Sequence, residues 1–276
     1  MIDILMATYN GQKHLRDQID SLLAQTNQDW QLLIRDDKST DNTVAIIKEY
    51  AAKYSDKIKL LEDNCGKVGA SMNFHRLLEN STAEYIMFCD QDDVWLPQKI
   101  EVTLALMKAT EATCPNKPTL VHTDLKVVDS QLRTIAKSLW LYQGIPLEFG
   151  NDADRIMIQN VATGCTIMIN KIAKNISLPI PKEAVMYDWW IAINVAKHGR
   201  IVYASQQLVL YRQHSNNAVG AKKLLKKNIW VELQNITFLK KRILEHYHMA
   251  KKYDPDAKLW SIVLKKVANK IAQQFR

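Results

Sequence analysis

Three strand-like apolar runs in the first 93 residues each stop at a polar or acidic cluster. Ile2 to Ala7 ends in Thr8-Tyr9-Asn10, Trp30 to Arg35 ends in Asp36-Asp37, and Tyr85 to Cys89 ends in Asp90-Gln91-Asp92-Asp93. In an open α/β sheet, parallel strands bring their C-terminal ends to one edge, where ligands bind. Carboxylates converging there are costly together unless positive charge lies between them. A divalent metal with a phosphorylated ligand meets that requirement.

The segments between these runs carry helical periodicity. Leu15, Ile19, Leu22 and Leu23 form one apolar face, and a helix starting near Asp41 buries Val44, Ile47 and Ala51. A strand at 58–61 and the turn-rich Asp63-Asn64-Cys65-Gly66 lead into a helix carrying Phe74, Leu77 and Leu78. Four β units joined by helices predict a mostly parallel, doubly wound α/β sheet. Further strands are predicted at 120–123, 125–128, 165–169, 201–203 and 208–211, with a helix from about Asp188 to Lys197. Segment 130–160 has no clear period and reads as a loop-rich cover over the ligand edge. From Lys222 onward the pattern is helical. Trp260, Val263, Leu264, Val267, Ile271 and Phe275 share one face, with Lys265, Lys266, Asn269 and Lys270 away from it.

With 276 residues, 47% of them hydrophobic, the chain reads as globular and large enough to bury a substantial core. Its net charge of +8 is unevenly spread. Residues 220–276 hold fourteen Lys/Arg against four Asp/Glu, whereas the preceding 219 hold 23 against 25. Cys65, Cys89, Cys114 and Cys165 show no metal-ligand spacing and read as small buried hydrophobes in a reducing compartment. Met1 leads directly into a strand, so no secretory leader is expected, and no apolar run approaches a membrane span.

Asp90-Gln91-Asp92 follows an apolar strand, and alternate residues of an extended segment point to one side, so two carboxylates can share a Mg²⁺ or Mn²⁺. The same residues also read as an acidic turn capping the helix that starts near Pro97. An EF-hand is excluded because Trp95 stands where that loop needs glycine. In Asp36-Asp37-Lys38-Ser39-Thr40-Asp41, Asp41 is the expected helix cap, while Asp37 emerges from the strand with an acceptor for a base N–H or a ribose hydroxyl. Tyr9 offers a flat face to a nucleobase or packs at the core edge. Gly66-Lys67-Val68-Gly69 matches neither a dinucleotide-binding glycine motif nor a P-loop. Asp188 reads as the N-cap of the helix holding Trp189 and Trp190.

Thr8-Tyr9-Asn10-Gly11, the Asp-Asp-x-Ser-Thr-Asp loop, Asn64-x-Gly66 and Asp90-Gln91-Asp92-Asp93-x-Trp95-x-Pro97 together resemble the motif set of family 2 glycosyltransferases. Tyr187-Asp188-Trp189-Trp190 and Tyr211-Arg212-Gln213-His214-x-x-Asn217 resemble its bacterial rhamnosyltransferase-like branch. The resemblance covers roughly residues 2–217. It implies a GT-A fold over 1–219, with a nucleotide-binding half to about residue 95 and an acceptor-side half beyond it, followed by a basic helical extension at 220–276.

The activity implied is inverting, metal-dependent transfer of a sugar from a UDP- or dTDP-linked donor, with rhamnose the first expectation. The acceptor would be a saccharide or lipid-linked hydroxyl in bacterial surface polysaccharide synthesis. Carried over by position, Tyr9 stacks on the base and Asp37 reads it, with Thr8, Asn10 and Lys67 nearby. Asp92 holds Mn²⁺ or Mg²⁺, Asp90 and Gln91 support the metal and the ribose, and Asp188 is the catalytic base. His214 is a candidate metal ligand, Arg212 a phosphate partner, and Trp189 and Trp190 an acceptor platform.

The basic tail with its apolar stripe suits a helix on an anionic leaflet, which implies a cytoplasmic enzyme peripheral to the inner membrane face. Dimerisation through the same helices is the competing use. A sugar-phosphate nucleotidyltransferase would want a glycine-rich basic loop after the first strand, which Thr8-Tyr9-Asn10-Gly11 does not supply. Nucleic acid is not an expected partner, because the positive charge is not interleaved with the motif edge.

Overall fold

A computed structural model describes residues 1–214, 220–221 and 236–274. Asn217, Phe275, the side chains of Asn269, Lys270 and Ile271, and the expected helical stretch 222–235 lie outside the described residues. The first half alternates as its apolar periods predict: β1 (Ile2–Thr8), α1 (Leu15–Leu23), β2 (Trp30–Asp36), α2 (Thr43–Lys53), β3 (Ile58–Leu60), α3 (Ala70–Asn80) and β4 (Tyr85–Asp90). Next come β5 (Val94–Trp95), α4 (Lys99–Thr113), β6 (Thr119–Val128), β7 (Thr134–Ala136), α5 (Leu139–Gln143), α6 (Ala153–Ile158), β8 (Met168–Asn170), α7 (Lys171–Ser177), α8 (Tyr187–His198) and β9 (Arg200–Arg212). Two C-terminal helices follow, α9 (Ile236–Tyr253) and α10 (Leu259–Gln274).

The strands form one sheet in the order β3-β2-β1-β4-β8-β6-β9-β5, with β7 paired to β6. Its N-terminal half is parallel: β1 lies between β2 and β4, and β3 flanks β2. The register sets Thr8 beside Asp36 and Ala7 beside Asp90, so the polar clusters ending these strands reach one edge together. Past β4 the sheet is mixed. β8 runs antiparallel to β4 and β6, β9 runs parallel to β6, and β5 and β7 are antiparallel additions.

Alternate residues of each strand feed opposite cores, as the two-residue strand period requires. Leu5, Ile86 and Phe88 face the side covered by α3, α7 and α8, while Ile4, Met6, Met87 and Cys89 face the side covered by α1, α2 and α4. Both faces are covered, which is why these strands read as continuous apolar runs.

Several expected boundaries move. The pairs of strands expected at 120–123 and 125–128, and at 201–203 and 208–211, are single strands whose register slips at Asp124 and before Gln207. Asp124 looks like a break, yet its carboxylate accepts from the Leu125, Leu139 and Trp140 amides and from the Gln207 side chain. The polar residues therefore form a bulge inside the ladder. α2 begins at Thr43 with Asn42 at its N-cap, so Asp41 is not the cap; it binds the Thr43 hydroxyl and the Gln12 and Thr43 amides instead. α8 begins at Tyr187 after Met186, which places Asp188 in the first turn and not at the N-cap. Segment 130–160 holds two short helices, and its Leu139, Gln143 and Ile145 line the ligand edge.

The C-terminal helices are not a separate appendage. Met249 and Ala250 of α9 and Ile262 of α10 are buried in the same core as Trp190 and Ile191. Two ion pairs, Lys252–Glu183 at 3.2 Å and Lys265–Asp154 at 3.5 Å, bracket that contact. Trp260, Leu264 and Val267 point the other way, 62%, 59% and 50% exposed. No described helix is long and apolar enough to cross a membrane.

Candidate active site

A cleft of about 850 Å³ opens along the C-terminal edge of β1, β2 and β4, and Tyr9, Asp37, Asp92 and Asp188 all line it. Its size suits a small-molecule ligand. Three contacting groups build it.

The first group surrounds Tyr9. Its ring is 41% exposed, and the Lys67 ammonium lies 3.6 Å from the ring centroid. The Tyr9 amide donates to Gln91 Oε1 and the Tyr9 carbonyl accepts from Gln91 Nε2, both at 2.9 Å, so the loops after β1 and β4 are clamped together. Gly11 lets Gln91 approach: a Cβ there would sit 2.2 Å from Gln91 Oε1. Thr8 lines the cleft, and its hydroxyl donates to Asp36, which also accepts from the Ser39 amide and hydroxyl.

One expectation is corrected in this group. Asn10 does not line the cleft; its amide donates to Ser39 Oγ and its side-chain oxygen accepts from the Thr40 amide, bracing the 36–43 loop. Asp37 lines the cleft, but its oxygens accept from the Val68 and Gly69 amides at 2.7 and 2.8 Å. These bonds seat the loop that carries Lys67.

The second group is anionic. Burial pushes the Asp90 carboxyl up to about 7, and the Asp92 and Asp188 charges add to the rise. Asp92 is also raised by burial, against the opposing pull of His214 and Arg212. Asp93, fully buried, is held well above the usual carboxylate range by burial and by both neighbours. Asp92 Oδ2 lies 2.9 Å from His214 Nε2. The His214 ring stacks on His14, whose pKa burial and Arg212 bring down to about 4.

Carboxylates that resist ionisation together are what a cation would relieve. The cleft-lining carboxylates Asp90 and Asp92, with the His214 imidazole beside Asp92, supply donors suited to Mg²⁺ or Mn²⁺. Asp90, Asp93 and Cys165 also bring one ligand atom each within 4.8 Å of one another. Asp93 and Cys165, however, are fully buried and do not line the cleft.

Arg212 is the clear correction here. It is 2% exposed and does not line the cleft. Its side chain donates to the Asp92 and Ser130 carbonyls and to Asp17 Oδ2, and its amide donates to Asp93 Oδ1. It braces the acidic loop and does not reach out to a phosphate. Sequence reasoning also missed Lys99, which is fully buried, lowered to about 8 by burial, and 4.4 Å from the Trp95 ring centroid.

The third group holds Asp188. Its Oδ2 accepts from the Gly164 amide at 2.9 Å and its Oδ1 from the Trp189 amide at 2.6 Å. Burial pushes the carboxyl up to about 6 against these amides. Trp189 lines the cleft, with its indole N–H donated to the Ile156 carbonyl. Trp190 is corrected: it does not line the cleft, packs in the core and donates to the Ser177 carbonyl. His246 meets Trp189 edge-on at 4.5 Å, and Lys266 Nζ lies 3.4 Å from His246 Nε2. No local pattern announces these two cleft residues.

The sequence model of Glycosyl transferase family 2 matches residues 3–176. A dTDP-rhamnosyl transferase, RfbG of Shigella flexneri, is 28% identical over 229 residues, covering 78% of this chain and 74% of that protein. Among solved structures, S. aureus TarS 1–349 in complex with UDP-GlcNAc has a TM-score of 0.60 at 15% identity, over 99% of this chain and 78% of that one. Mannosyltransferase PcManGT from Pyrobaculum calidifontis, in complex with GDP-Man and Mn²⁺, also gives 0.60, at 14% identity over 93% and 65%. At these identities the structural likeness shows a shared GT-A fold.

Gly164 is where the third group is most easily disturbed. A Cβ there would lie 2.2 Å from the Tyr187 hydroxyl and 3.4 Å from Asp188 Oδ2. Gly164→Ala is expected to cost about 1–3 kcal/mol through this crowding. A lowered urea midpoint with an unchanged slope checks it, and an unchanged midpoint would show that Tyr187 has room to move.

Proposed function

The chain belongs to glycosyltransferase family 2, and on that premise we propose that it is an inverting, metal-dependent sugar transferase acting in bacterial surface polysaccharide synthesis. The donor is a UDP- or dTDP-linked sugar, and the likeness to RfbG supports dTDP-rhamnose. The acceptor is a hydroxyl of a saccharide, free or lipid-linked. One observation carries the reading: a raised carboxylate, Asp188, shares a single cleft with the half-exposed Tyr9 and the paired aspartates Asp90 and Asp92.

The base stacks on Tyr9 beside Lys67, and Gln91 holds that shelf to the loop carrying Asp90 and Asp92. Asp90 and Asp92, with His214, would hold Mn²⁺ or Mg²⁺; the Mn²⁺ bound by PcManGT favours this choice of cofactor. Bound there, the ion would offset the charge that develops on the diphosphate leaving group. Asp188 accepts the proton of the acceptor hydroxyl as its oxygen bonds to the anomeric carbon and the bond to the nucleoside diphosphate breaks. A single displacement inverts the carbon and needs one carboxylate base, unlike a double displacement with two catalytic carboxyls.

Asp188→Asn should retain nucleotide affinity and lose transfer by at least about 10²-fold, the scale of general-base catalysis. Because Asp188 must be ionised to act, wild-type kcat/KM should fall as pH drops through about 6. Persistent transfer by the Asn variant, or an acid limb it still shares, moves the base elsewhere. Asp92→Ala should remove the Mn²⁺-dependent part of UDP or dTDP binding in calorimetry; equal affinities with and without the ion in both proteins would end the metal reading.

The outward stripe of Trp260, Leu264 and Val267, on a helix within the basic tail, supports a location at the inner membrane face. Truncation near residue 219 cannot test this cleanly, since Met249, Ala250 and Ile262 belong to the core. The triple change Trp260→Ser, Leu264→Ser and Val267→Ser should abolish sedimentation with phosphatidylglycerol vesicles while leaving the fold intact. Undiminished sedimentation would reject the stripe as a membrane face. A loss of dimers in the same variant would assign it to self-association.

A further inference from the structure

Tyr187 opens α8 and lines the cleft, although only 2% of its surface is exposed. Its ring is wedged between Phe74 and Phe88, with ring centroids 4.2 and 5.0 Å away, in the same core as Trp190 and Ile191. Close packing of this kind fixes where the hydroxyl stands. That place is beside Gly164, whose amide holds Asp188: a Cβ at 164 would meet both the Tyr187 hydroxyl and Asp188 Oδ2. The charges that act on the hydroxyl are those of Asp90 first and then Asp188. A tyrosine hydroxyl this deep ordinarily finds a partner, yet this one makes no hydrogen bond among the described residues. Nor is its oxygen sealed among the buried polar atoms, so it opens into the cleft. Burial, with Asp90 and Asp188 adding to it, holds the phenol well above its ordinary value, and it keeps its proton to donate.

We propose that the Tyr187 hydroxyl donates to a hydroxyl oxygen of the transferred sugar and so selects donors that carry that hydroxyl. This rests on the transferase reading and deepens it. A nucleotide sugar lying from Tyr9 past Asp90 and Asp92 toward Asp188 sets its diphosphate at the paired aspartates and its sugar short of Asp188. Tyr187, flanked by Asp90 and Asp188, then faces the sugar. The base at Tyr9 and the diphosphate are bound by other groups, which leaves the sugar as the part of the donor that this hydroxyl reads. A sugar without the matching oxygen leaves a dehydrated donor unpaired, which is how a polar pocket rejects a deoxygenated analogue.

The test is calorimetry on the full-length protein with Mn²⁺, titrating UDP, dTDP, dTDP-rhamnose, UDP-glucose and UDP-N-acetylglucosamine. Each donor's affinity is read relative to its own free diphosphate. Tyr187→Phe removes the hydroxyl and keeps the ring between Phe74 and Phe88. It should bind UDP and dTDP like wild type, keep the urea midpoint, and lower the relative affinity of at least one donor about three- to tenfold, the worth of one neutral hydrogen bond. Singly deoxygenated forms of that donor locate the contact: the form lacking the partnered hydroxyl should bind both proteins equally, and the others should keep the gap. No fall for any donor, a fall that the free diphosphates share, or a gap that every deoxygenated form keeps overturns the proposal. A lowered urea midpoint would give the hydroxyl a partner inside the protein and overturn it as well. Failure of wild type to bind any nucleotide would instead overturn the transferase reading.

Discussion

Like charge gathered at the end of one strand is the constraint from which the rest of this molecule follows. Asp90, Asp92 and Asp93 leave β4 within four residues, and Asp188 adds a fourth carboxylate from α8. Burial makes each ionisation costly, and each ionised neighbour makes the next costlier. The fold answers with fixed polar bracing. Arg212 ties the Asp92 and Asp93 backbone region to Asp17 on α1 and to Ser130, and His214 meets the Asp92 carboxylate. Lys99 lies fully buried near Asp93, with burial bringing its pKa down to about 8. None of these groups pairs with Asp90, whose two charged neighbours are both acidic, and a divalent ion there, as proposed, would offset that charge.

What could be read from the sequence was local. Strands β1, β2 and β4 are buried on both faces and so advertise themselves as apolar runs, and the residues that stop them are the ones the parallel register aligns at the edge. What could not be read was long-range. Arg212 lies 195 residues from Asp17, and nothing in Tyr211-Arg212-Gln213-His214 distinguishes an arginine that reaches a ligand from one that stitches loops together. Trp189 and Trp190 are adjacent, and only the rotation of α8 decides that one lines the cleft and the other the core. Asp124 and Asp41 look like strand breakers and helix caps because their type favours those roles; their actual partners come from other elements.

The C-terminal helices show the same limit from another side. A single apolar stripe on α10 suggests one partner. In the structure Ile262 faces the core while Trp260, Leu264 and Val267 face solvent, so the helix serves two surfaces at once. Its high lysine content then has two uses as well: Lys265 pairs with Asp154 on α6, and Lys266 turns into the cleft. Charge counted over a segment describes its solubility and long-range field. The role of each lysine is set by which face of the packed helix it occupies.

The position of Asp188 shows how the fold sets a carboxylate's proton affinity by opposing two effects. Burial alone would drive its carboxyl upward, as it does Asp93. The Gly164 and Trp189 amides stabilise the ionised form and hold it to about 6. A carboxylate left near its ordinary value would accept a proton from a sugar hydroxyl only weakly, and one raised far above neutrality would already be protonated at working pH. General-base efficiency peaks between these extremes. The Gly164 amide can reach the carboxylate because position 164 has no Cβ to meet Tyr187, and Tyr187 is wedged between Phe74 and Phe88. The proton affinity of Asp188 is thus traceable through one missing methyl group to the packing of α3 against β4.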